Sequence, residues 1–439
     1  MYRIIGLDIG SSTIKAGILD LDSGAVTDLT REAFPERIAG LPSHHFEVDP
    51  DEVVRRVAGL IHRLATAAPD IDSIFCCGQM GGVLLCNQKL RPLTNYLSWR
   101  DQRTTLPNDS GLTTLESLRN RWTDSMFEVI GSELKPGSAT SLLFWLQQRR
   151  QLPDQATPVT LGDYVVSKLC GVPLQMERTQ TIGMLNLRTG DWYHEAFAHL
   201  HLEDLHWPQL TTTDHAAGTM VIAGRSLSIY PVVGDQQAAL RGIDLQPHEL
   251  SVNLSTGAQV SQITATFQPA QCQSRSWFHG QFLNTITHIP AGRSLNVLES
   301  LLTELARRAG LHIEDSWNLI AQAVSQSEGG GLRSDLSFFA GALGCEGRIE
   351  GITTENLTVG NLFQSAFDFM ADSCLTCSQR LNPQPAWHQL AVSGGLVQSF
   401  PTLRQKLQDR FRLPFREVAE QEETLLGLLK IAREMLRLH

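Results

Sequence analysis

No GxxxxGKS or GxxxxGKT segment occurs in the 439 residues, which excludes a Walker-type phosphate loop. No apolar run approaches the roughly 20 residues that a membrane span requires, so no membrane partner is expected. Basic residues never run beyond pairs such as Arg149-Arg150 and Arg307-Arg308. Together with a formal net charge of −10, this argues against a nucleic-acid partner, because such partners need basic faces. Near the start, Arg3 and Asp8 flank only a short apolar strand, not the core of a secretory signal, so the cytoplasm is the expected compartment. Cysteines number eight; Cys374 and Cys377 are spaced CxxC, but no second pair stands at a spacing that zinc would use. Reduced, mostly buried thiols are expected instead. His199, His201 and His206 lie among carboxylates in an amphipathic run, which reads as a solvated helix face rather than a metal site.

Hydrophobic residues make up 42% and charged residues 19%, the balance of a globular protein long enough for two domains with separate cores. The most informative stretch is 4–24. Two apolar strands, 4–9 and 14–19, flank the turn Gly10-Ser11-Ser12-Thr13, with Asp8 before it and Lys15 after it. Backbone N–H groups and hydroxyls of such a turn can bind phosphate oxygens, and a nearby carboxylate can hold hydrated Mg²⁺. A surface hairpin explains one such turn alone. The design recurs, however, at 250–263, where Ser255-Thr256-Gly257 joins two apolar strands. Two hydroxyl-and-glycine hairpins suggest two similar halves facing one another across a cleft.

Along the chain, Asp49-Pro50-Asp51 signals a helix start, followed by Val53, Val57, Leu60, Ile61 and Leu64 on one face. Strands at 71–77 and 83–86 bracket Gly78-Gln79-Met80-Gly81-Gly82, at a strand end where α/β folds place ligands. A strand at 96–99 leads into Arg100-Asp101-Gln102-Arg103, which either lines a site or starts a solvated helix. A hairpin is expected at 179–192 and an acidic helix at 195–213. The strand 229–233 closes on Gly234-Asp235-Gln236-Gln237, where Asp235 either caps the following helix or serves as a general base. In the second half, helices are expected at 295–309, 317–325, 363–380 and 400–411, and strands at 336–339 and 390–392. The second of these strands ends in Ser393-Gly394-Gly395, glycines that let a ligand approach the backbone. A closing amphipathic helix at 422–438 is expected to pack on the second sheet.

Five ordered motifs resemble those of the FGGY carbohydrate kinases, within the actin-like ATPase superfamily. They are GLDIGSSTIKAGILD; GQMGGVLL with LSWRDQRT; VVGDQQAAL; LSVNLSTGAQV; and AVSGGLVQSFPTLRQ. The second phosphate motif and segment 278–301 are most similar to the sedoheptulokinase branch. The resemblance implies an α/β fold of two actin-like (ribonuclease H-like) domains, 1–242 and 243–439, each a mixed sheet flanked by helices. It implies ATP and Mg²⁺ as cofactors, a small-molecule sugar as partner, and a monomer or homodimer. The reaction implied is phosphorylation of a ketose at a primary hydroxyl, sedoheptulose to its 7-phosphate; a pentulose kinase for xylulose or ribulose, or a non-catalytic binder, are the alternatives.

Carried across residue by residue, the resemblance makes Asp235 the base and places Gln236 beside the sugar. Asp8 would stand near Mg²⁺; Ser11, Ser12, Thr13 and Lys15 would face the γ-phosphate from one domain, and Ser255, Thr256 and Gly257 from the other. Gly394, Gly395 and Leu396 would border adenosine, while Gln79, Met80, Gly81 and Arg103 would lie on the sugar side. Three departures stand out: Gly81 replaces a His common in the family, Ser141 replaces a Lys, and the segment around Gly344–Arg348 is abbreviated. The Asp8-Ile9-Gly10-Ser11 string also matches aspartic proteases, but those are all-β and need a second such motif, so that reading is rejected.

Overall fold

The computed structural model describes residues 2–108, 110–382, 386–418 and 422–436. The first sheet is built from β1 (Arg3–Ile9), β2 (Thr13–Asp20), β3 (Val26–Ala33), β4 (Ser73–Gly78), β5 (Gly218–Ile222) and β6 (Arg225–Gly234). Their order is β5-β6-β4-β1-β2-β3. The β1–β2 hairpin is antiparallel, whereas β4 and β6 run parallel to β1, so their ends gather at one edge of the sheet. Helix α1 (Pro50–Ala67) starts as expected: the Asp49 side chain caps it and Pro50 occupies the first turn. Its five periodic apolar residues are all buried in the core beneath the sheet.

The second sheet repeats this plan. After helix α2 (Asp235–Gly242) come β7 (Glu249–Leu254), β8 (Ala258–Thr264), β9 (Gln273–Ser276) and β10 (Phe282–Ile289), then helix α3 (Val359–Leu381), β11 (Gln389–Ser393) and β12 (Phe415–Glu417). The order is β9-β10-β8-β7-β11-β12, with β7–β8 an antiparallel hairpin and β11 and β12 parallel to β7. Asp8 and Asn253 are each the penultimate residue of the corresponding strand, directly before the two hydroxyl turns. The fold is thus two α/β units with mixed sheets, each with its own core.

Four local expectations change. The closing helix α4 (Glu423–Met435) packs on the first sheet, not the second: Leu425, Leu428, Leu429, Ile431 and Ala432 share a core with Ile4, Leu19, Phe75, Cys77 and Val233. An apolar stripe reports that a face is buried but not against which sheet. Residues 437 and 438 of the expected span lie outside the described residues. Helix at 195–213 is reduced to His194–Ala198, because the chain turns at His201 (φ 56°) to stack Phe197 on Trp207 and then forms the strand Gln209–Thr211. At 336–339 the ladder has already ended, at Arg333–Asp335. At 179–192 only Leu185–Asn186 and Asp191–Trp192 pair; Arg178–Gln180 makes a 3₁₀ turn that braces the site below. Among the described residues, no helix is long and apolar enough to cross a membrane.

Candidate active site

Asp8 sits at the end of β1, opposite Lys15 in the hairpin register, and only 5% of its surface is exposed. Thr424 Oγ1 donates to its Oδ2 at 2.9 Å and Lys15 Nζ stands 3.9 Å away. Its Oδ1 is buried with no hydrogen-bond partner among the described residues. Burial raises the Asp8 pKa, against the opposing effects of Thr424 and Lys15. A buried carboxylate oxygen with free lone pairs beside a phosphate-type turn fits a hydrated Mg²⁺, which favours oxygen ligands. In the turn, a Cβ on Gly10 would stand 2.7 Å from the Thr13 carbonyl oxygen, so only glycine closes it. The Ser11 and Ser12 hydroxyls accept from Arg100 Nη2 at 3.1 and 2.9 Å.

Asp235 begins α2 directly after β6. The turn beneath it is fixed from below: Gly234 N–H donates to Thr179 Oγ1 at 2.8 Å, and Gln180 Nε2 donates to the Gly78 and Val233 carbonyls, both at 3.0 Å. These bonds tie the parallel ends of β4 and β6 together. Burial, and then the negative charge of Asp8, push the Asp235 carboxyl up to about 7. A carboxylate poised near neutral pH suits a general base.

At the matching edge of the second sheet, Ser255 Oγ donates to Asn253 Oδ1 at 3.0 Å, and Asn253 Nδ2 donates to Ser393 Oγ at 2.8 Å. The second hydroxyl turn is therefore tied to the Gly394-Gly395 loop. Gly394 has φ 101°, and a Cβ there would overlap the Leu254 backbone, whereas nothing lies within 4 Å of the Cβ position of Gly395. The amides of Gly292 and Arg293 donate to the Ser255 and Thr256 carbonyls at 3.1 and 2.7 Å. Leu396 Cδ1 stands 3.5 Å from the Cβ position of Gly292. Ser255, Thr256, Gly257, Gly394, Gly395 and Leu396 thus lie together at this edge, with open space beside Gly395.

The residues expected on the sugar side divide into two groups. Gln79 is buried against the first turn, its Nε2 3.5 Å from the Gly10 carbonyl, and Met80 packs on Gly234. Gly81 has φ 79°, and a Cβ there would stand 3.2 Å from Trp99 Cβ, so the missing His leaves no vacant slot. Arg103, by contrast, is 3% exposed and committed to Asp101 (2.7 Å) and Glu47 (2.6 Å), over the Trp145 ring. Gln236 reaches the second domain: its Nε2 donates to Thr285 Oγ1 at 3.1 Å and its carbonyl accepts from Arg275.

Residues 3–242 match the profile described as the FGGY family of carbohydrate kinases, N-terminal domain. The chain belongs to this family. It is 25% identical over 227 residues to xylulose kinase of Bacillus subtilis (strain 168), covering 50% of this chain and 44% of that one, so it spans less than half of that relative. Sedoheptulokinases of Mus musculus and Homo sapiens are each 22% identical, over 370 and 377 residues, covering 74% of both chains. The fold matches the crystal structure of gluconate kinase from Lactobacillus acidophilus (TM-score 0.85, 17% identity, 100% of this chain and 90% of that one). Glycerol kinase from Plasmodium falciparum with ADP is similar at TM-score 0.80, 14% identity, 100% of this chain and 90% of that one. The two sheets with flanking helices are therefore the fold of these solved sugar kinases.

Within this FGGY chain, the structure adds residues the motifs did not single out. Thr424 and Glu422, from the start of α4, reach Asp8 and Lys15 respectively, the latter at 3.4 Å. Arg275 joins Glu133 to Gln236, and Lys135 Nζ donates to Thr287 Oγ1 at 3.0 Å. All are single polar residues in apolar or loop surroundings, with no spacing pattern to mark them. Arg100 did have a signal, its place in the LSWRDQRT motif.

Proposed function

We propose that the protein is an ATP- and Mg²⁺-dependent ketose kinase, phosphorylating sedoheptulose to sedoheptulose 7-phosphate, with residues 1–242 presenting the sugar and 243–439 the adenosine. The observation that carries this is Asp235, a carboxylate raised to about 7 at the parallel strand ends of the first sheet. Asp235 takes the proton from the sugar's primary hydroxyl as its oxygen bonds to the γ-phosphorus; the bond to the β–γ bridging oxygen breaks, and ADP leaves with that electron pair. Asp8 would hold Mg²⁺, which neutralises phosphate charge when bound. Ser11, Ser12 and Thr13 with Lys15, and Ser255, Thr256 and Gly257, hold the phosphates from the two sides. Gly394, Gly395 and Leu396 border adenosine; Gln79, Met80, Gly81 and Trp99 shape the sugar end, with Gln236 at the domain junction. Arg103 serves that end indirectly, by holding Asp101 and Glu47 in place.

The heptulose is favoured over a pentulose because similarity to the sedoheptulokinases runs over both halves, whereas the Bacillus xylulose kinase matches half the chain. ADP release with ATP and Mg²⁺ across sedoheptulose, xylulose, ribulose, fructose, glycerol and no sugar tests the reading. Stimulation by sedoheptulose above the others is expected. A xylulose or ribulose preference would move the assignment to a pentulose kinase, and no stimulation with ATP bound would support a non-catalytic relative.

A further inference from the structure

Among the described residues, three cations around the first hydroxyl turn and the domain junction, Lys15, Arg103 and Arg275, stand beside carboxylates. Lys15 stands 3.4 Å from Glu422 and 3.9 Å from Asp8. Arg103 is held by Asp101 and Glu47, and Arg275 by Glu133. Arg100 has no carboxylate partner among the described residues: its side-chain contacts are the Ser11 and Ser12 hydroxyls and the faces of Phe46 and Trp99, 5.4 and 5.7 Å from the ring centroids. It is half-buried at the rim of a phosphate-type turn, with no counter-ion among the described residues.

We propose that Arg100 binds the terminal phosphoryl group of the nucleotide and neutralises charge on it during transfer. This rests on the kinase reading and names a residue beyond its base, metal and turn groups. The geometry supports it in two ways. The guanidinium carbon lies over two aromatic rings, at 5.4 and 5.7 Å, which restrains the side chain beside the turn; a single nitrogen serves both serines, which leaves other N–H donors for phosphate oxygens. Each serine hydroxyl accepts from Arg100, so its own O–H hydrogen is free to donate to a phosphate oxygen. During transfer the γ-phosphoryl oxygens carry the developing negative charge, where a fixed cation lowers the barrier most. Arg100 exchanges no proton; the sugar proton goes to Asp235 and the electron pair to ADP.

The test is equilibrium binding, with Mg²⁺, of ADP and a non-hydrolysable ATP analogue to wild type, Arg100→Lys and Arg100→Ala, each with a wild-type circular dichroism spectrum. Wild type should prefer the triphosphate analogue. Arg100→Ala should lose about tenfold or more of that preference while ADP affinity stays unchanged, and Arg100→Lys should recover part of it. Sugar-dependent turnover should fall roughly 10²–10³-fold in Arg100→Ala. An unchanged ratio in both variants overturns the inference, as does an effect confined to sugar affinity. Failure of wild type to bind either nucleotide overturns the kinase reading itself, and is thereby distinguishable.

Discussion

At Asp235 and Asp8, a half-buried and a buried carboxylate share one region, and their environments separate their roles. Asp235→Asn should lower kcat on the order of 10²–10⁴-fold, the range for loss of a general base, with ATP binding retained. Its titration gives a second, independent check. The folded pKa of about 7 lies above the ordinary 3.8, so the folded state takes up a proton that the unfolded chain releases between about pH 4 and 7. This group therefore costs least stability at low pH and most above pH 7. Asp235→Asn should raise Tm at pH 8, and the gain should shrink towards pH 4; a pH-independent gain would contradict the burial argument. Asp8→Asn should raise the Mg²⁺ concentration needed for turnover, whereas an unchanged metal titration would remove Asp8 from the metal site. Both acids stood out in the sequence because each lies where an apolar strand gives way to a glycine-containing turn. Arg103 was legible only as a motif member: its partners, Asp101 two residues away and the distant Glu47, decide that it is buried, and no local pattern reports Glu47.

Among elements, the two hydroxyl hairpins and the helix at Pro50–Ala67 could be read from alternation, caps and periodicity, since those signals are local. The partner of helix α4 could not. Its crossing with α2 is set by glycines: a Cβ on Gly427 would overlap the Ala238 carbonyl oxygen, and one on Gly242 would overlap that of Glu423. The helices therefore approach backbone to backbone, which positions both Asp235 at the head of α2 and Thr424 at the head of α4. Gly427→Ala should cost about 1–3 kcal/mol in urea unfolding, as overpacking does. The contrasting substitution is Gly59→Ala in α1, where the nearest atom to the new Cβ is the end of the Arg63 side chain at 3.8 Å. It should stabilise by about 0.5–1 kcal/mol through helix propensity. Equal effects at the two positions would refute the close-crossing account.

For the whole molecule, the repeat of strand plan in both halves creates two phosphate-type turns, and polar bridges hold the halves together. Glu133–Arg275–Gln236 is the most buried of these bridges, with the Glu133 and Arg275 side chains 1% and 8% exposed. Arg275→Met should destabilise by about 3–5 kcal/mol, because Glu133 is left buried and unpaired, and Glu133→Gln in the same chain should restore part of the loss. These contacts join residues 142 and 39 positions apart, so no short window of sequence could show them. The repeat itself could be seen, because each half carries its own turn. The central claim is that this clamp delivers a sugar hydroxyl to Asp235. Sugar-stimulated ADP release by wild type and Asp235→Asn, compared from about pH 6 to 9, tests it most directly. The account predicts a wild-type rate that rises through pH 7 only when a ketose is present and is lost in the variant. A variant rate close to wild type, or turnover indifferent to sugar, would contradict it.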